Sequence, residues 1–258
     1  VVTTGTFTIP LMKKGGYKSH FAGAVEAVAS CGGQFMPPIM GAAAFMIATN
    51  CDVAYGIVAV SALVPALLYY FYLFICLDAE AKKNGLKGLE ASELPSIKTA
   101  LKKRGHMLIP LVVLIFLLVS GYSPGKSVFW SIILLIATAA IKKDTRMGWK
   151  SIVHAIQNGV YSAAAVAIAC ACAGIISGVI SLTGLGLRFS SILIQLSGGN
   201  LLVMLLLTML AAIIMGMGLP TSAAYVILAV LTSPALIELG VTPLAAHFFI
   251  FFFACIST

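Results

Sequence analysis

Charge is what this chain has least of. Asp, Glu, Lys and Arg make up only 9% of its 258 residues, against 60% hydrophobic residues, and mean hydropathy is +1.07. A soluble domain carries about 25% charged residues, so an ordinary water-facing surface is excluded and the fold class is an all-α polytopic membrane protein. Paired cysteines are also lacking. Cys31, Cys51, Cys76, Cys170, Cys172 and Cys255 are scattered on apolar segments, with no Cys-x-x-Cys and no His at ligand spacing. That excludes a disulfide framework and a transition-metal site and leaves small buried apolar residues. An initiator Met and a signal peptide are missing as well, and Ile256-Ser257-Thr258 stops inside an apolar run, so the sequence reads as the C-terminal fragment of a longer protein.

The charge that is present is unevenly placed. Net charge is +8, yet fourteen of the sixteen basic residues fall in Lys13–Lys18, Lys82–Arg104 and Lys142–Lys150. Basic residues gathered in short loops beside apolar spans are the positive-inside signature. These loops are predicted to be cytoplasmic and the lipid bilayer, not nucleic acid, to be the partner. Val53–Leu77 is a full span with aromatics at its inner end (Tyr69, Tyr70, Tyr72), and Ile152–Leu182 is a long helix of small residues suited to close packing. Lys98–Arg104 reads as a short surface helix. Met107–Ser120 and Val128–Ile141 are two short spans or one re-entrant hairpin. Asn50–Asp52 and Thr183–Asn200 are outer connections.

Two apolar runs are interrupted in the same way. Cys31-Gly32-Gly33-Gln34-Phe35-Met36-Pro37-Pro38 divides Phe21–Ser30 from Ile39–Thr49. Met215-Gly216-Met217-Gly218-Leu219-Pro220-Thr221-Ser222 divides Leu201–Met215 from Thr221–Leu236. In a bilayer, backbone that leaves the helix is tolerated only where buried in protein or lining a wet cavity. Paired Gly/Pro interruptions in corresponding halves mark a transporter's binding site. A broken helix frees carbonyls at one half-end and N–H groups at the other. The carbonyls suit Na⁺ as coupling ion, and the N–H ends suit an anion.

The first break supplies Gly32, Gly33, Gln34, Pro37 and Pro38 as candidate site residues. The second supplies Gly216, Gly218, Pro220, Thr221 and Ser222, with Ser257 and Thr258 opposite them. Glu26, a carboxylate within two turns of the first break, is either a functional group or an interfacial glutamate satisfied by Ser or backbone. Isolated Gly or Pro would mean ordinary kinks, but an internal repeat argues otherwise. Shifting the numbering by 224 superposes Thr8 on Thr232, Pro10 on Pro234, Gly16 on Gly240, Ala22 on Ala246 and Cys31 on Cys255. The first copy turns at the lysine-rich face and the second at a lysine-free one, which predicts inverted repeats of re-entrant hairpin and broken helix. The organisation that follows is 1–52 (hairpin end plus first broken helix), 53–150 (scaffold helices and loops) and 151–258 (helix, second hairpin, start of the second broken helix).

Catalysis finds no support. An intramembrane enzyme needs a nucleophile with its base or paired carboxylates; Ser30 and Cys31 have neither His nor Asp beside them in sequence, and Glu26 has no acidic mate. His20, His106 and His154 sit near inner boundaries, Arg188 is solvated or faces a partner, and His247 is a packed, hydrogen-bonded group on an aromatic helix. A passive channel fits these breaks less well than an occluded site.

The stretch Gly23–Phe45 with its Ser30-Cys31-Gly32-Gly33-Gln34-Phe35-Met36-Pro37-Pro38 core resembles a signature of the large membrane subunit of tripartite ATP-independent periplasmic (TRAP) transporters. Met215–Tyr225 resembles that family's second hairpin, and the similarity runs through the chain as the C-terminal part of a fused permease of the TAXI type. The resemblance implies an elevator mechanism of the ion-transporter superfamily. It also implies Na⁺-coupled import of an organic anion delivered by a periplasmic substrate-binding protein, with a small membrane subunit or a fused N-terminal equivalent, in a bacterial or archaeal inner membrane. Its sodium sites fall on Gly32, Gly33 and Pro37 and on Gly216, Gly218 and Thr221, while Cys31 stands where the family often has Thr. An ion-coupled carrier of a related inverted-repeat family, working without a binding protein, is the alternative.

Overall fold

The computed structural model describes residues 4–86, 88, 105–142 and 145–257. The surface helix predicted over Lys98–Arg104, and candidate residue Thr258, lie outside the described residues. Among those described there is no strand, and eleven α-helices follow one another: α1 (Gly5–Lys14), α2 (Ser19–Gly32), α3 (Ala42–Asn50), α4 (Tyr55–Lys83), α5 (Ile109–Val119), α6 (Pro124–Ala139), α7 (Trp149–Leu182), α8 (Leu185–Ser197), α9 (Leu201–Gly216), α10 (Thr221–Glu238) and α11 (Pro243–Ser257). Three of them, α4, α7 and α10, are long and apolar enough to cross a membrane. The protein is an all-α membrane protein.

The residues form two compact units, Val1–Ser30 with Leu63–Ala155, and Cys31–Ala62 with Ile156–Thr258. In the first, side-chain hydrogen bonds tie the start of α1 to α2. Thr4 and Thr8 both donate hydroxyl hydrogen bonds to the carboxylate of Glu26. Tyr69 and Tyr70 of α4 donate to the carbonyls of Val28 and Ala29, at 2.8 and 3.0 Å. These two tyrosines therefore hold α2, an internal task that their reading as an interfacial belt did not foresee. The α4 helix also runs past the predicted end of the span at Leu77, through Asp78 to Lys83. An Asp78–Lys82 ion pair one turn apart carries the helix into the charged segment.

Helices α5 and α6 pack against each other. With 11 and 16 residues they rise about 16 and 24 Å, short of the roughly 30 Å hydrocarbon core. Of the two readings left open for this region, these lengths favour the hairpin.

In the second unit α10 is the core. Two-thirds of its apolar window is buried, against 11% for that of α4 and 6% for that of α7. The long helices thus turn most of their apolar surface outward, as lipid-facing helices do, and α10 is wrapped by α9, α11, α8 and α3. The segment Thr183–Asn200, expected as a connection, is largely the helix α8. Its buried stripe is Gly186, Ser190, Leu193 and Ser197. Three of these four are small or polar, so the 3.6-residue period is nearly invisible to hydropathy. Small residues are used because α8 lies close on α10: a Cβ at Gly186 would come within 3.1 Å of the Val230 carbonyl, and Ser190 donates to the Leu231 carbonyl at 2.9 Å.

The 224-residue offset holds down to single hydrogen bonds. After α1, the N–H groups of Gly15, Gly16 and Tyr17 donate to the carbonyls of Leu11, Lys13 and Met12; after α10, those of Leu239, Gly240 and Val241 donate to Ala235, Ile237 and Leu236. Each pattern is a Schellman cap, with a left-handed glycine at the same place, Gly16 (φ 97°) and Gly240 (φ 90°). Pro10 and Pro234 sit inside the two helices, and the offset superposes the first residues of the following ones, Ser19 and Pro243.

Candidate functional site

Both breaks leave the helix where expected, with different geometry. At the first, α2 ends at Gly32 and α3 begins only at Ala42, so non-helical backbone runs about three residues past the predicted Ile39 restart. The segment is folded back on itself. Gln34 and Phe35 donate to the carbonyls of Cys31 and Gly32, and Gly41 donates to the Gln34 carbonyl at 2.6 Å. Tyr55 of α4 donates to the Pro38 carbonyl at 2.8 Å and accepts from the Met40 N–H at 3.4 Å, while stacking on Phe45. The Pro37–Pro38 bond is cis. These bonds meet the requirement that backbone outside a helix be satisfied by protein.

The second break is short. The α9 helix ends at Gly216, the tip Met217–Pro220 turns on Gly218 (φ 83°), and α10 starts at Thr221. Gly216 is where α9 meets α11: a Cβ there would run into the Ser257 hydroxyl and stand 2.8 Å from the Ser257 Cβ. This position needs glycine for close approach, whereas Gly218 needs it for its backbone angle and has open space around it.

Residues from the two breaks then share one cavity, of about 230 Å³, within the second unit. It is lined by Gly41, Ala42 and Ala43 at the start of α3, by Pro220, Thr221 and Ser222 at the start of α10, and by Gln34, Val166 and Phe251. None of these side chains is charged. The electrostatics come from the backbone, because the first N–H groups of an α-helix have no intrahelical acceptor and carry about half a positive charge. Both helices begin without a side-chain cap, at Gly41 and Pro220. The lack of a side-chain cap is shared with α1, α5, α6 and α8, whereas α9 is capped by Asn200, whose Oδ1 accepts from Leu202 and Val203. Two helix N-termini without a side-chain cap therefore border one neutral cavity.

Of the sequence-derived candidates, Gln34, Pro220, Thr221 and Ser222 line this cavity. Gly216 and Ser257 meet beside the end of α9. Gly32, Gly33, Pro37 and Pro38 shape the first break without lining the cavity, and Gly218 forms the tip of the second. Glu26 belongs to the first unit, where the hydroxyls of Thr4 and Thr8 satisfy its carboxylate.

Sequence reasoning did not single out Gly41, Ala42 and Ala43, which have no polar side chain to mark them. It also missed Tyr225. That side chain, fully buried one turn into α10, accepts from Asn50 Nδ2 at 3.2 Å and lies 2.9 Å from His247 Nδ1, whose Nε2 is 3.2 Å from Ser233 Oγ. His247 is packed and hydrogen-bonded, as its lone place on an aromatic helix suggested. Asn50 ends α3, Tyr225 is on α10 and His247 on α11, so the network ties together the two helices whose N-termini form the cavity.

No curated protein matches the chain. The family described as Tripartite ATP-independent periplasmic transporter, DctM component, matches residues 1–258. This whole-length match, on a chain of apolar helices, means that the chain belongs to the DctM component family and is a permease subunit of a TRAP transporter.

Proposed function

We propose that the subunit imports an organic anion, with a carboxylate bound in the cavity between the starts of α3 and α10, driven by Na⁺. The convergence of two uncapped helix N-termini on one neutral cavity carries this reading. Each N-terminus is worth up to about 2 kcal/mol to an anion when partly buried. Two supply about 4 kcal/mol, which alone corresponds to a millimolar dissociation constant. Tighter binding draws on Gln34, Thr221 and Ser222, whose amide and hydroxyls line the same space.

Na⁺ is assigned to the end of α9, where the last carbonyls lack intrahelical donors and the Ser257 hydroxyl approaches Gly216. Oxygen ligands of this kind suit a hard cation, and a cation beside a carboxylate site couples the two by attraction. The family points to a periplasmic substrate-binding protein that delivers the anion and to a small membrane subunit or fused equivalent. A repeat, which the duplicated Schellman turns support, its inversion across the membrane and an elevator movement of the cavity complete the reading, in a multi-pass inner-membrane protein.

The test is uptake of a radiolabelled carboxylate by the full transporter in proteoliposomes, against external Na⁺ and with or without the binding protein. Gly216→Val is expected to raise the Na⁺ concentration for half-maximal uptake about tenfold, equivalent to about 1.4 kcal/mol, after normalisation to folded protein. Wild-type Na⁺ dependence in that variant removes the cation assignment. Undiminished uptake without the binding protein selects the carrier that works alone.

A further inference from the structure

Two cations stand outside the three cytoplasmic clusters, and one of them, Lys126, sits at the mouth of a cavity in the first unit. The cavity, about 470 Å³, lies between α5 and α6 and is lined by Val113, Leu117, Tyr122, Lys126, Ser127 and Trp130. The Lys126 ammonium is 5.0 Å from the centre of the Tyr122 ring. Its position on the helix is electrostatically wrong. Lys126 is the third residue of α6, in the first turn, where the helix dipole is positive and carboxylates are favoured, and that turn holds no acidic residue. A cation and a helix N-terminus together call for an anion, and the floor beneath them is apolar and aromatic.

We infer that this cavity holds an anionic phospholipid, its phosphate on Lys126 and the start of α6, and part of an acyl chain against Val113, Leu117 and Trp130. Three observations favour lipid over other occupants. The residues around it on α5 and α6, including Val112, Phe116, Phe129 and Trp130, are exposed apolar groups in a membrane protein. Trp and Tyr at one end of a hairpin are headgroup-level residues. The 16-residue α6 spans about 24 Å. A hairpin with its open end at one membrane surface therefore brings the Lys126 side chain within snorkelling reach of the opposite headgroups, in a core of about 30 Å.

Trp130 supplies the readout, because the chain has only two tryptophans. Trp149→Phe in the full-length transporter leaves Trp130 as the reporter within this chain, with any tryptophan elsewhere in the transporter subtracted by a matched Trp130→Phe control. Liposomes contain brominated phosphatidylglycerol or brominated phosphatidylcholine at low mole fraction in unbrominated phosphatidylcholine. Phosphatidylglycerol is expected to quench Trp130 with about fivefold higher apparent affinity, the factor one lysine contributes near an anionic lipid. Lys126→Gln should bring the ratio to about one. Leu117→Trp, placed in the Trp130→Phe background and read by binding of a fluorescent phosphatidylglycerol, fills the cavity while keeping the charge, and should also lower the preference.

Equal quenching by the two lipids in the wild type overturns the proposal, since a partner helix or bulk lipid then covers the site. Loss of the preference on adding inorganic phosphate overturns it in favour of a soluble phosphate ligand. A preference that survives Lys126→Gln overturns it as well.

Discussion

At the scale of single residues the two glycines of the second break have separate reasons to be glycine, and the variants separate them. Gly216→Ala drives a Cβ into Ser257. Removing the obstacle should relieve it, so Ser257→Gly in the same chain is expected to restore folded yield and thermal stability, leaving Na⁺ dependence impaired if the Ser257 hydroxyl is a ligand. Gly218→Ala meets no obstacle but must hold φ near 83°; a cost of about 1 kcal/mol follows from the left-handed backbone, with no rescue by Ser257→Gly. Thermal unfolding in nanodiscs measures both.

Glu26 makes a different prediction. Its carboxylate is occupied by Thr4 and Thr8, so Glu26→Ala should lower thermal stability while the Na⁺ concentration for half-maximal uptake stays at the wild-type value. A shifted Na⁺ dependence would return Glu26 to the ion site.

At the scale of elements, the chain of polar contacts Asn50, Tyr225, His247 and Ser233 fixes α3, α10 and α11 against one another. Tyr225 is the joint, accepting from Asn50 and engaging His247. Tyr225→Phe keeps the ring and deletes the hydroxyl, leaving the buried imidazole Nδ1 of His247 without that partner. A loss of about 1–3 kcal/mol is expected, visible as a lower midpoint in thermal unfolding, with weaker anion binding because the two N-termini lose their common anchor. Val58→Ala, a truncation of an equally buried apolar residue in α4, should lower stability without the affinity change. Equal affinity losses in both variants would mean that the network has no positioning role.

At the scale of the whole molecule, the prediction is topological. From the basic clusters, residues 82–104 and 142–150 are expected in the cytoplasm, and 50–52 and 183–200 outside. The six free cysteines must first be replaced. An impermeant maleimide applied from outside should then label Asn200→Cys and spare Glu90→Cys. Labelling of position 90 from outside refutes the arrangement.

Much of this protein was legible in one dimension, for physical reasons. A bilayer admits few unsatisfied backbone groups, so hydropathy and Gly/Pro interruptions determined the membrane class, both breaks and the hairpin of α9 and α10. The repeat was legible because a Schellman turn needs a left-handed residue at a fixed position, which Gly16 and Gly240 record. Only the tertiary structure decided which helix ends face one another. The starts of α3 and α10 line one cavity, and Gly41 to Ala43, though inside the Gly23–Phe45 signature, carry no polar side chain that would single them out as site residues. The same holds for α8, whose buried stripe is small and polar because its neighbour lies so close. Sequence determines where backbone must leave the helix; packing alone determines what the freed groups confront.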